Sequence, residues 1–394
     1  MTWFSRALIC ALILIGSLCA FLATDLVLPA IPTLPEALGG GVEEGQFVLA
    51  SFIAGGAAGL LIFGAISWRF DRRKLLLSTM AVFGAVSLAC TFVTSIWPLI
   101  GLRFFQGFFS MVPAVIGPGI LRQMFSDKGA TKAIGLLGSL EALAPALGPI
   151  AGAGLLALGG WTLSFTVLGV MGLALAGLLL FLPAWPHRAH RDEPKGDYLS
   201  LLKSPVFLRY ALSQAFCVGG LIMFVFCAPV MLERGLGGSL RDFILMQVCG
   251  VSTFFIASNS VGWIVNRVGA ERLIWWGTAI SAFSPVVMFV YALSGYATPL
   301  GVILLFIPFN LGLGLRGPSG FLRAVIAADG QDDRGSSLVI LSIFAIASGG
   351  TALLAPVIEQ GLASVALAAI LVEGAALACL LLPRLRMDEE LSAA

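Results

Sequence analysis

The chain has 394 residues, 59% of them hydrophobic and only 11% charged, with a mean hydropathy of +1.00. Its net charge of +2 is too small to hold a nucleic acid, and its seven cysteines show no CxxC spacing, which argues against a disulfide framework or a zinc site. Such a composition excludes an ordinary soluble domain and leaves a polytopic membrane protein.

A bilayer core takes about 20 apolar residues per helix, and twelve runs of that kind are predicted. They cover 7–29, 46–67, 75–94, 97–121, 133–157, 162–183, 206–231, 243–265, 273–293, 299–321, 337–359 and 364–383. The first contains Asp25 and Pro29, and no small-residue cleavage site follows, so it reads as a retained span rather than a signal peptide. The second leads into a basic loop, Gly64-Ala-Ile-Ser-Trp-Arg69-Phe-Asp-Arg-Arg-Lys74. Arg103 falls in the fourth run and Glu141 in the fifth, which continues through Pro145 and Pro149. After the sixth, residues 184–205 form the longest inner gap, rich in both charge signs, and read as a linker between two halves, 1–183 and 206–394. Arg316 lies in the tenth run and Glu373 in the twelfth.

Internal echoes support that division. Gly64, Arg69 and Lys74 after span 2 have counterparts in Gly262, Arg267 and Arg272 after span 8. Gly117-Pro118 before Arg122 has its counterpart in Gly317-Pro318 before Arg323. Paired halves with a site between them are a common plan of secondary transporters. With Met1 on the cytosolic side, 19 basic residues fall in inner loops and ends, against Arg234 and Arg241 outside. This positive-inside bias predicts both termini in the cytoplasm.

The loop from Gly64 to Lys74 resembles the signature loop of the major facilitator superfamily between helices 2 and 3. Thr24-Asp25-Leu-Val-Leu-Pro29-Ala-Ile-Pro32 is similar to the first-helix segment of its drug/proton antiporter branch, the bicyclomycin and chloramphenicol resistance type. Leu102-Arg103-Phe-Phe-Gln106-Gly107 is similar to that branch's helix 4 motif, and Ala144-Pro145-Ala-Leu-Gly148-Pro149-Ile-Ala-Gly152 to the helix 5 motif of exporters. The resemblance implies an all-α integral membrane protein of twelve transmembrane helices in two pseudo-symmetric six-helix bundles, a monomer in the bacterial inner membrane. It implies proton-coupled export of small molecules, with the proton gradient as energy source and no cofactor. Gly64, Arg69, Asp71, Arg72, Arg73, Gly148, Pro149 and Gly152 would then be gating positions. The loop departs from the family pattern in two places, since Trp68 stands where the family has its acid and Asp71 where it has a glycine. Asp71 either takes over that charge or is a solvated loop residue.

Charges at lipid depth cost roughly 2.5–3.5 kcal/mol each unless they find a partner, water or a function. Asp25 and Arg103 both lie roughly 6 to 9 Å below the outer ends of their helices, by the 1.5 Å rise, and are expected to meet. The resemblance assigns the proton to Asp25 and its modulation to Arg103; the alternative is a static ion pair. Glu141 is either a second proton or substrate group or a buried hydrogen-bonded carboxylate. Arg316 is expected to bind an anionic group or to pair with an acid, and Glu373, on a peripheral helix of the resembling fold, is given little functional weight. Asp25, Gln106, Phe109, Glu141, Gln214, Phe224 and Arg316 make up the expected substrate-binding set, although glutamines and phenylalanines at such positions equally serve interhelical packing.

Other chemistry is missing from the sequence. There is no P-loop for an ATP-driven pump, and the two histidines, His187 and His190, sit among arginines in the central loop without a metal or catalytic pattern. The sequence therefore leads to a non-enzymatic transporter, with protons, a small-molecule substrate and the lipid bilayer as partners. An exporter of an anionic metabolite or siderophore is the alternative on the same scaffold. An importer or a transporter-like receptor follows behind.

Overall fold

The computed structural model describes residues 3–40, 42–141, 144–181, 185, 196–354 and 357–385. Helices dominate these residues and no strand forms among them. In chain order they are α1 (Trp3–Asp25), α2 (Leu34–Leu38), α3 (Val42–Ile66), α4 (Arg72–Ala89), α5 (Ile96–Ser110), α6 (Val112–Met124), α7 (Asp127–Glu141), α8 (Ala144–Gly159) and α9 (Trp161–Phe181). There follow α10 (Tyr198–Leu202), α11 (Pro205–Val230), α12 (Leu240–Val268), α13 (Ala270–Leu293), α14 (Pro299–Ala327), α15 (Asp332–Leu354) and α16 (Leu362–Cys379).

Eleven segments are long and apolar enough to cross a membrane, and Ile150–Gly159 adds a shorter apolar helix in the fifth position. That fifth span is described as α7 and α8, with residues 142 and 143 outside the described set. The fourth is broken at Met111, one residue before Val112-Pro113, because proline lacks the N–H that would bond back one turn. Large apolar side chains such as Leu158, Phe181, Phe283, Leu353 and Leu371 stand exposed, a liability in water and a favourable surface against lipid tails.

Two compact units emerge, Met1–Met124 with Leu140–Lys195, and Phe125–Ser139 with Gly196–Ala394. The stretch Phe125–Ser139 thus groups with the second unit, although the sequence assigned it to the first half. There the Ser258 hydroxyl donates to Gly135 O at 3.0 Å and Arg323 approaches Asp127 at 3.6 Å. Of the expected linker, residues 184 and 186–195 lie outside the described residues, as do His187, His190 and Arg386.

Helix pairs in lipid gain nothing from excluding water, so close approach rests on small residues. In the first unit, a Cβ on Gly55 or Gly59 of α3 would run into the carbonyls of Phe104 and Phe108 on α5. One on Gly107 would meet Phe52 O in return. In the second, Gly277 of α13 and Gly312 of α14 face each other's carbonyl oxygens in the same manner.

Candidate functional site

Pro29 and Pro32 cannot supply N–H groups to continue the helix, so α1 stops at Asp25 and a 3₁₀ segment, Leu28–Thr33, takes over. Asp25 is half-buried there. Gly148 on α8 leaves the room its side chain occupies, since a Cβ at that position would overlap Asp25 Cβ and stand 3.3 Å from Cγ. One turn later, a Cβ on Gly152 would lie 2.5 Å from Leu26 O, which also accepts the Ser164 hydroxyl at 3.0 Å. The exporter-like glycines therefore let α8 close on the carboxylate-bearing end of α1. Pro149 belongs to α8, and its side chain lies outside the described residues.

Arg103 on α5 is fully buried. Its Nη1 donates to Ala23 O on α1 at 2.9 Å and to Gln106 Oε1 at 2.6 Å, and its Nε donates to Val48 O on α3 at 3.2 Å. The Phe52 ring lies 4.3 Å beneath the guanidinium and Phe165 of α9 stands 5.9 Å away. Gln106 passes the network on, donating to the Ser87 hydroxyl of α4 at 2.7 Å, and Ser87 in turn donates to Phe83 O at 2.7 Å. One planar fork thus links α1, α3 and α5, and reaches α4 through its neighbour. Nη2 has no hydrogen-bond partner among the described residues.

The expected meeting of Asp25 with Arg103 is not made as an ion pair among the described residues. Arg103 instead holds the backbone two residues before Asp25. Two residues are about 200° of helix rotation, so the arginine that grips Ala23 O is on a different side of α1 from the Asp25 carboxylate. Gln106, expected in the substrate-binding set, is fully buried as the link between Arg103 and Ser87.

Glu141 ends α7 and faces the buried Ser17 of α1, without a regular hydrogen bond to that hydroxyl. Phe109 is half-buried, edge-on to Phe108 and 6.2 Å from Phe63. In the basic loop, Asp71 caps its own helix by accepting the Lys74 N–H at 2.9 Å. Arg73 reaches the C-terminal carbonyls of α9, donating to Leu179 O at 2.7 and 2.9 Å and to Leu180 O at 3.1 Å. Arg72 is buried, Gly64 is buried, and the exposed Arg69 lies 5.1 Å over the Trp68 ring, so the unusual tryptophan serves as a cation–π platform.

Within the second unit, Phe224 stacks on Phe306 at 5.4 Å and meets Phe309 edge-on at 6.0 Å. All three are buried in one hydrophobic core cluster, where Phe224, expected in the substrate-binding set, packs against its neighbours. Gln214 is buried, and its Oε1 has no partner among the described residues. Arg316, also fully buried, donates from Nη1 to Ser213 O at 2.6 Å. Cys217, one of the seven cysteines without CxxC spacing, donates its thiol to Glu373 Oε2 at 3.2 Å. No periodicity in the sequence singles out this contact, Ser87 or the carbonyls of Ala23 and Val48; all depend on helix rotation.

Outside the spans, burial pushes the Tyr198 phenol up to about 12, so it stays neutral at physiological pH. It sits at the start of α10, where Arg334 donates to Gly196 O at 2.7 Å and to Gln331 Oε1 at 2.9 Å, fastening the end of the linker to α15. Among the described residues no cluster of His, Cys, Asp and Glu could hold a metal.

The model of the family described as Major Facilitator Superfamily matches residues 13–351. The chain belongs to this superfamily. Major facilitators are multi-pass membrane transporters of small molecules, not enzymes. A bicyclomycin resistance protein homolog of Haemophilus influenzae is 28% identical over 68% of the chain and 69% of its own length. Multidrug resistance protein MdtM of Salmonella typhimurium is 28% identical over 65% of the chain, an alignment that spans 63% of that relative. A chloramphenicol resistance protein of Pseudomonas aeruginosa is 27% identical over 73% and 69%. Among solved structures, the facilitator FucP in its outward conformation superimposes with a TM-score of 0.72 at 14% identity, covering 95% of this chain and 98% of FucP. At that identity the likeness bears on the fold, which is the twelve-helix facilitator fold.

Proposed function

We propose that this facilitator exports small amphipathic molecules of drug or antibiotic type in exchange for protons. Its two six-helix halves, 1–183 and 206–394 joined by 184–205, alternate access to a central site between the faces of a bacterial inner membrane, with both termini in the cytoplasm and the chain acting as a monomer. The observation that carries this reading is the fully buried Arg103, bound to the backbone of α1 two residues before the half-buried Asp25. Relatives named for bicyclomycin, multidrug and chloramphenicol resistance support the substrate class.

Asp25 takes the proton, since it is an acid at lipid depth with no ion-pair partner among the described residues. Arg103 modulates it through the position of α1 rather than through a salt bridge. Glu141 of α7, beside Ser17 of α1, is the second acidic group in this reading. A proton on Asp25 and a substrate at the site favour different states, because a ligand shifts a conformational equilibrium only by differential binding. Everted vesicles with an imposed pH gradient test this. Asp25→Asn is expected to bind substrate while losing at least about tenfold in gradient-driven transport, equivalent to 1.4 kcal/mol. Undiminished coupling in that variant would overturn the proposal.

A further inference from the structure

Glu373 and Arg316 form a second buried polar site, away from Asp25 and within the second unit. Glu373 projects from α16 with no exposed surface, and Arg316 from α14 is equally buried. Charges at this depth are normally bonded to one another, yet no ion pair within 4.0 Å joins these two among the described residues. Glu373 Oε2 accepts only the Cys217 thiol, a weak donor, at 3.2 Å. Its Oε1 has no partner, nor do the Ser281 hydroxyl beside it or Nε and Nη2 of Arg316. Gly220 leaves the space, since a Cβ there would stand 3.2 Å from Oε1.

We propose that Glu373 is a second proton-binding residue of this chain, seated in a buried polar cluster with Arg316 as its counter-charge. The groups present suit both protonation states. With its proton on, the carboxyl donates to the otherwise unpartnered Ser281 hydroxyl and accepts from Cys217. With the proton off, the carboxylate is balanced by Arg316 without a rigid bond to it. A buried carboxylate meant to stay ionised would be expected to accept several strong donors, and this one has a single thiol. Among the described residues, the titratable and charged groups acting on this cluster are Cys217 from α11, Arg316 from α14 and Cys379 on α16 itself, beside Arg316, and α13 adds the Ser281 hydroxyl. The inference deepens the proton-coupled reading of the chain, although protonation of Glu373 can be observed without any transported molecule.

Infrared difference spectra of the full-length protein between acidic and alkaline buffer provide the test. A protonated-carboxyl C=O band is expected in the parent, absent from Glu373→Gln and retained in Asp25→Asn. A second variant guards against misfolding of the first. Cys217→Ala removes the hydrogen bond to the carboxyl and is expected to move the same band to higher frequency. If Glu373→Gln keeps every band of the parent, or Cys217→Ala leaves the frequency unchanged, the proposal is overturned. Loss of coupled transport in Asp25→Asn would stand in either case.

Discussion

Arg103 shows what a single buried side chain does in this protein. A lysine in its place carries the same charge but cannot reach Ala23 O, Val48 O and Gln106 Oε1 together, because it lacks the planar fork. Arg103→Lys is therefore expected to lose at least about tenfold in transport (1.4 kcal/mol,) and to lower the thermal midpoint of the detergent-solubilised protein. Ser87→Ala should be milder, costing about 1 kcal/mol by leaving Gln106 Nε2 unpaired in the interior, read from the same melting curves. Asp25 and Arg103 stand out in the sequence because charges in apolar runs are rare. Their partners do not, since Ala23 and Val48 contribute only backbone, and Ser87 is one of many hydroxyl residues in the spans. Asp71 is a similar case. The family resemblance implied a part in gating, and the helix cap that it makes in the structure depends on the local fold of the loop.

Among the elements, the pair α3 and α5 shows how glycines set distance. Gly107 has the Phe52 carbonyl against its Cα, whereas Gly101 on the same helix has nothing within 4 Å of where its Cβ would be. Gly107→Leu is thus expected to destabilise the protein by about 1–3 kcal/mol or more, while Gly101→Leu leaves the unfolding midpoint unchanged. Equal effects of the two substitutions would refute the packing account. The helix 4 motif marks Gly107 in the sequence, but only the facing of α5 shows that a carbonyl stands against it. Span 4 makes the same point about breaks: Pro113 marks a possible interruption in the sequence, but Pro308 and Pro318 lie within the continuous α14. A proline alone therefore does not decide where a helix breaks.

For the whole molecule, the strongest prediction concerns orientation. The charge bias of the loops predicts that reporters fused after α9 and at the C-terminus are active only as cytoplasmic reporters, and that a tag beside Arg241 is reached from outside. The reverse pattern would contradict the topology proposed here. The number, length and spacing of the apolar runs suffice to define twelve spans, because a bilayer demands a fixed length of apolar helix whatever its neighbours are. The family follows from the motifs carried on the first six. What the sequence by itself determined was therefore which residues lie in the membrane and which of them are charged. Only the tertiary structure decided that Arg103 binds backbone instead of Asp25, that Phe224 belongs to a core, and that Glu373 meets Cys217 beside Arg316. The physical reason is that hydropathy reports depth, while the rotation of each helix is fixed by close packing against residues distant in the chain.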